Sequence, residues 1–252
     1  MSTVTSSQPS SDLADRRIVI TGGSSGLGAA LAHSCAQLGA RVGLIGRDQA
    51  RLRQVSESTG ALAAQADLGE AGAASAAIAT LAEGLGGIDA VVNNAGVMLH
   101  SRIAAGLTGD WDASFRSNVL GMLHVLHAAL PHLRAASAAD VVIVASTSSD
   151  RVTAPDFGVY AATKAAQMRL SEALRMELSD AAHIRVSLVK PGFMNTPGIG
   201  PGTRDPELQE SVMDLKQRIG LAPELVAREI CHLLMMPREM TIPELTILPT
   251  AR

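Results

Sequence analysis

Short runs rich in β-branched residues alternate with longer Ala- and Leu-rich stretches along almost all of the 252 residues. This alternation constrains the fold more than any single motif. The apolar runs read as strands over Arg17–Thr21, Arg41–Ile45, Ala61–Ala66, Ile88–Val92, Val141–Ala145, Ile184–Val189 and Leu245–Leu248. The stretches between them read as helices over Gly26–Leu38, Gln49–Ser58, Glu70–Leu85, Trp111–Leu133, Tyr160–Asp180 and Pro223–Met236. Strands that are apolar on both faces suit a parallel sheet covered by helices on two sides. A regular βαβα order joins such strands by right-handed crossovers. The expected fold class is α/β, a doubly wound, mostly parallel seven-stranded sheet with helices on both faces.

No linker or composition break divides this pattern, so residues 16–252 read as one domain behind a Ser/Thr-rich disordered tail over 1–15. The Gly/Pro-rich stretch Pro191–Asp205 is too long for a passive connection, and a substrate lid is expected around 193–220. One Trp, one Tyr and three Phe cannot build a stacking platform for single strands, and a net charge of −3 offers no basic field, so no nucleic-acid partner is expected. No apolar run reaches membrane-spanning length and no targeting segment precedes the first strand, which points to a cytoplasmic protein with no membrane partner. Cys35 and Cys231 lie far apart in sequence and read as reduced, buried small hydrophobes. His124, His127 and His132 share one helix without an accompanying acid or thiol, so no metal is expected.

The first strand ends in Thr21-Gly-Gly-Ser-Ser-Gly-Leu-Gly28 and runs directly into a helix. Gly22, Gly26 and Gly28 allow a tight turn, close backbone approach to a pyrophosphate and tight helix-on-strand packing, with the helix N-terminus facing the phosphates. Three residues, rather than one, separate the first two of these glycines. That Thr-Gly-x-x-x-Gly-x-Gly spacing resembles the short-chain dehydrogenase/reductase family, and the resemblance implies a Rossmann-like fold and a nicotinamide dinucleotide held by Gly22, Ser24, Ser25, Gly26, Leu27 and Gly28. Asn93-Asn94-Ala95-Gly96 is similar to the family's second signature, which implies that Asn94, Ala95 and Gly96 lie against the cofactor. Asp67-Leu68 resembles the adenine-contacting pair, though an Asp there also suits a helix N-cap. After the second strand, where an acid would accept from a ribose 2′-OH, the chain reads Gly46-Arg47-Asp48. A guanidinium there favours a 2′-phosphate, hence NADP(H) over NAD(H), while Asp48 suits an N-cap.

Tyr160-Ala-Ala-Thr-Lys164 sets the only tyrosine and one of three lysines one helical turn apart on the same face. An ammonium beside a phenol favours the phenolate, which general acid–base work near neutral pH requires. The match to the family's Tyr-x-x-x-Lys signature implies that Tyr160 handles the proton at the reacting oxygen, while Lys164 holds the nicotinamide ribose and lowers the Tyr160 pKa. Asn118 resembles the family's helix Asn that anchors a water in the proton relay. The family's Ser thirteen residues before the Tyr falls on Thr147, within Ala145-Ser146-Thr147-Ser148-Ser149, so Ser146 and Ser148 compete with Thr147 for that place. Pro191, Gly192 and Thr196 resemble the segment that contacts the nicotinamide carboxamide.

Met98, Leu99, His100, Val152, Phe157, Met194, Ile199 and Met213 are expected around the substrate, which suits a largely apolar alcohol or ketone. His100 and Arg102 offer contacts for a substrate carboxylate, or else read as surface residues. The C-terminal Met240–Thr250 resembles a branch that includes β-hydroxy-acid dehydrogenases and a clavulanate-pathway reductase. Two alternatives to an alcohol/ketone oxidoreductase stay open. One is a non-catalytic dinucleotide-binding module; the other is a reductase of carrier-protein-tethered ketones, for which Arg102, Arg116 and Arg151 are candidate contacts. The resemblance also implies a homodimer or homotetramer through the Trp111–Leu133 and Tyr160–Asp180 helices.

Overall fold

A computed structural model describes residues 12–100, 102–178, 183–197, 210, 213–214, 216 and 218–250. Its strands are β1 (Arg17–Thr21), β2 (Arg41–Gly46), β3 (Leu62–Gln65), β4 (Ala90–Asn93), β5 (Ala139–Val144), β6 (Ile184–Pro191) and β7 (Glu244–Ile247). They form one sheet in the order β3-β2-β1-β4-β5-β6-β7. Every neighbouring pair is parallel, so the sheet is wholly rather than mostly parallel. The chain order reverses between β1 and β4, and the carboxyl ends of these two strands open a crevice there. Expected residues 1–11 of the tail and 198–209 of the lid, Ile199 included, lie outside the described residues.

The helices are α1 (Gly26–Gln37), α2 (Gln49–Thr59), α3 (Ala71–Leu85), α4 (Thr108–Phe115), α5 (Gly121–Ala135), α6 (Gly158–Glu177) and α7 (Pro223–Met235), with a π turn over Arg116–Leu120 joining α4 to α5. Alternate strand residues face opposite layers, as the two-residue period of a strand demands. Val19, Val91, Val141 and Ile143 meet α3 and α5, while Ile18, Ile20, Val92, Val142 and Val144 meet α1 and α7. Local chemistry sets the helix ends. The Asp48 carboxylate accepts from the Arg51 N–H at 3.0 Å to cap α2, and Gly60 and Gly86 close α2 and α3 with positive φ. β4 begins two residues later than its apolar run; at Asp89 the backbone still bonds Arg17 and Asp140, but the Arg17 N–H is taken by the Asp89 carboxylate at 2.9 Å. Cys35 on α1 and Cys231 on α7, remote in sequence, are both buried with their sulfurs 3.8 Å apart.

The strand ends opposite the crevice are joined by a charged cluster. Asp140 on β5 accepts from Arg185 Nε on β6 at 2.6 Å, Arg16 Nη2 at 2.7 Å and Arg238 Nη1 at 3.0 Å. Arg185 Nη1 reaches the carbonyls of Met236, Pro237 and Met240 beyond the end of α7, and its Nη2 those of Leu233 and Leu234 in the last turn of that helix. Arg185 is the buried guanidinium of the cluster, and removing it takes one partner from Asp140 and the donors from those carbonyls at once. Arg185→Met is expected to cost about 3 kcal/mol, read as a lower urea midpoint. A loss no larger than that of an exposed pair, such as Arg169 with Glu172, would show that the cluster adds little.

Candidate active site

The carboxyl ends of β1 to β6 border a cavity of about 850 Å³. Its floor begins at the glycine turn, where Ser24, Ser25, Gly26 and Leu27 lead into α1. Ser25 is the N-cap residue of α1 in extended conformation, and its side chain makes no capping bond. The first N–H groups of α1 therefore keep their capacity to bind an anion. Gly22 has φ +68°, and a Cβ at Gly28 would stand 2.2 Å from the Gly22 carbonyl oxygen. Gly22 lines the cavity, whereas Gly28 lies behind it as the close contact between helix and strand. Thr196, from the loop after β6, comes within 3.2 Å of the Cβ position of Gly26, which sets that loop beside the turn.

One hydroxyl ties the turn to its neighbour. Thr21 Oγ1 accepts from the Asn94 N–H at 3.0 Å and the Ala95 N–H at 2.9 Å, and Asn94 Nδ2 donates to the Thr21 carbonyl at 2.9 Å. Asn94, Ala95 and Gly96 are thereby held on the cavity wall. At the far end, Arg47, Asp67 and Leu68 line the same space. Asp67 is not an N-cap; its carboxylate accepts from the Gly69 N–H at 3.0 Å in a local turn, and the N-cap of α3 is Glu70. The Arg47 backbone is fixed by Gln65 Nε2 donating to its carbonyl at 2.9 Å, and the residue is exposed. A Cβ at Gly46 would already sit 3.3 Å from the Ser24 hydroxyl, so a carboxylate side chain at the end of β2 would crowd the turn.

At the other end stand Tyr160 in the first turn of α6, Lys164 one turn later, and Ser146, Thr147 and Ser148 after β5. Among these hydroxyls, Ser146 is the one whose side chain favours ionisation of the Tyr160 phenol. Two 3-10 turns, Thr147–Ser149 and Pro155–Phe157, take up the loop between β5 and α6, while Ser146 continues β5 in extended form. Thr147 lines the cavity beside it. Lys164 does not bond the phenol; its Nζ lies 5.8 Å from the ring centroid and donates to the Val144 carbonyl at 3.1 Å and Gln167 Oε1 at 2.9 Å. Burial pushes the Tyr160 pKa up to about 12, against the pull of the Ser146 side chain. The expected lowering by Lys164 therefore does not prevail. Burial likewise pushes Lys164 down to about 8.

Asn118 is fully buried in the π turn and stays off the cavity wall, where Ser117 takes its place. Its Oδ1 accepts from the Val97 N–H at 2.7 Å, and its Nδ2 donates to the Val97 carbonyl at 2.9 Å and Thr163 Oγ1 at 3.0 Å. Pro191 and Gly192 line the wall after β6, as do Met98, Phe157 and Met194. Val152 is exposed, Met213 faces outward, and neither Leu99 nor His100 reaches the cavity. His100 is not a surface residue. It is buried, with Nδ1 2.7 Å from Asp156 Oδ2 and its ring edge-on to Phe157 at 4.5 Å, and Phe157 in turn stands edge-on to Tyr160 at 6.4 Å. Asp156 and Gln167 escaped the motif reading, although Gln167 lies on the Tyr160/Lys164 face at helical spacing.

The model of the short chain dehydrogenase family matches residues 16–206, most of the sheet and the whole Ser-Tyr-Lys set. The chain belongs to this family. A curated relative, an uncharacterized oxidoreductase of Staphylococcus epidermidis, is 33% identical over 233 residues, covering 92% of this short-chain dehydrogenase and 96% of the relative. Among solved structures, a short-chain dehydrogenase from Burkholderia cenocepacia in complex with NADP is 29% identical with a TM-score of 0.79, covering 93% of this chain and 97% of the other. A 3-ketoacyl-(acyl-carrier-protein) reductase from Brucella melitensis in complex with NADH is 27% identical with a TM-score of 0.82, covering 94% and 98%. Oxidoreductase chemistry on a nicotinamide dinucleotide follows for this family member, and no described helix is long and apolar enough to cross a membrane.

The depressed Lys164 pKa sets a stability signature. Between its folded value of about 8 and the ordinary unfolded value, the unfolded chain binds more protons, so stability rises with pH. From pH 8 to pH 10, below the range where the Tyr160 phenol titrates, the wild type is expected to gain about 2 kcal/mol relative to Lys164→Met in urea unfolding. Parallel curves for the two proteins would contradict the assignment.

Proposed function

We propose that this dehydrogenase is an NADP(H)-dependent oxidoreductase acting on a secondary alcohol or ketone of a small to medium, largely apolar substrate. The observation that carries the reading is a single cavity with the uncapped N-terminus of α1 and Arg47 toward one end and the Ser146-Tyr160-Lys164 set at the other. This donor set fits a phosphorylated dinucleotide. The α1 N–H groups suit the pyrophosphate, and the Arg47 guanidinium, with no acid beside it at Gly46, suits a 2′-phosphate. Asp67 and Leu68 suit the adenine, and Pro191, Gly192 and Thr196 the carboxamide. The bound dinucleotide supplies the hydride donor or acceptor.

The remaining work falls to the side chains. Tyr160, neutral near pH 7 because burial raises its pKa, gives its proton to the oxygen of a ketone and takes it back from an alcohol. The Ser146 hydroxyl beside the phenol turns its single O–H to that oxygen when substrate binds, orients it and donates to it as charge develops. Lys164 contributes a fixed positive charge behind the phenol and a donor toward the ribose. Met98, Phe157 and Met194 shed water from the substrate end and accept an apolar body.

The first test is oxidation of NADPH and of NADH against an array of ketones, aldehydes and keto acids. Tyr160→Phe is expected to lower turnover about 10²–10⁴-fold with cofactor affinity retained. Ser146→Ala is expected to cost about 10²-fold, and Thr147→Ala only a few-fold; the reverse order of losses would return the hydroxyl role to Thr147. Arg47→Ala is expected to raise KM for NADPH about tenfold and leave NADH nearly unchanged. Tight NADPH binding without turnover across the whole array would favour a non-catalytic binding module instead.

A further inference from the structure

We propose that Gln167 is a positioning residue that clamps the Lys164 ammonium between β5 and the π turn, so that its charge and one N–H donor are held toward the cavity. The proposal rests on the reading of Lys164 as part of the proton-handling set. An ammonium has three donors. One goes to the Val144 carbonyl at 3.1 Å and one to Gln167 Oε1 at 2.9 Å, which leaves a third on a side chain that lines the cavity. The other half of the Gln167 amide is engaged as well, because Nε2 donates to the Asn118 carbonyl at 2.7 Å. Rotating the amide would point its NH₂ at the ammonium and its oxygen at a carbonyl, so the two neighbours determine its orientation. In the π turn the Gly121 N–H reaches back to the Arg116 carbonyl, and this offset ladder lies against α6 with the Asn118 carbonyl directed at Gln167.

The clamp is dry and has no electrostatic substitute. Gln167 is 1% exposed, and Asn118 and Thr163 beside it are fully buried. Among the described residues no carboxylate forms an ion pair with Lys164. β5 presents the Val144 carbonyl, the π turn the neutral Asn118 amide, and the turn after β4 Gly96 with its Cβ position 3.6 Å from Nζ; the titratable group recorded beside Nζ among the described residues is Tyr160 on the same helix. Val144 O and Gln167 Oε1 are therefore the acceptors that keep the proton on Lys164 against desolvation.

The chain has only three lysines, so protein carrying ¹³Cε-labelled lysine shows three Cε signals, and the one lost in Lys164→Met identifies Lys164. Its titration midpoint is followed in the cofactor-free wild type, in Gln167→Met, which removes the acceptor, and in Gln167→Glu, which strengthens it. The midpoint is expected to fall by about one pH unit in the first variant and to rise by about as much in the second. The high-pH limb of ketone reduction is expected to move in the same two directions, whatever the order of the melting temperatures. Near-UV circular dichroism checks that each variant is folded. A midpoint that moves the same way in both folded variants, or in neither, overturns the clamp. The titration needs no cofactor and no turnover, so a chain that reduces nothing would refute the oxidoreductase reading while leaving this result standing.

Discussion

A buried ammonium without a carboxylate partner must be satisfied by neutral oxygens held at fixed places, and the functional end of this molecule is organised around that requirement at Lys164. Its two acceptors belong to β5 and to its own helix α6, and the second acceptor is anchored on the π turn. Asn118 in that turn extends the network to Val97 and Thr163, and Thr163 closes onto the Tyr160 carbonyl at 2.7 Å. Charge-assisted and fully satisfied polar networks of this kind rigidify their surroundings because every alternative leaves a buried group unpaired. The Thr21 hydroxyl does the same between β1 and the turn after β4, so the carboxyl ends of β1, β4 and β5 form one stiff rim. Preorganised dipoles on such a rim need no rearrangement when charge develops at a reacting oxygen.

Desolvation acts on both members of the Tyr-Lys pair and drives each toward its neutral form, which raises the phenol and lowers the ammonium. The two values diverge in opposite directions from nearly equal starting points. Below about pH 8 the phenol is protonated and the lysine charged, the state suited to giving a proton to a ketone oxygen. The Ser146 hydroxyl opposes the rise at Tyr160, and that makes its placement matter electrically as well as sterically.

The alternating pattern made the sheet and its helices legible, because a strand buried on both faces has few other sequences available to it. Boundaries moved where a side chain intervened, as at Asp89, whose carboxylate takes a ladder N–H, and at α6, which begins at Gly158 rather than Tyr160. Tyr160 and Lys164 were legible since a helix fixes their spacing. The hydroxyl position stayed open among Ser146, Thr147 and Ser148, because the path from β5 to α6 runs through two 3-10 turns whose length a spacing rule does not anticipate. His100 read as a surface residue, yet Asp156, more than fifty positions away, supplies the partner that lets a histidine be buried.

By itself, then, the sequence determined what local periodicity encodes: a parallel α/β sheet, a glycine turn that opens directly into a helix, and a tyrosine and lysine on one helix face. Only the tertiary structure decided which groups hold the lysine and that Asn118 braces the wall instead of lining the cavity. Each of these depends on two segments from distant parts of the chain arriving at the same point with compatible donors and acceptors. Such meetings are set by how helices pack on the sheet and how loops span between them, which no single stretch of residues specifies.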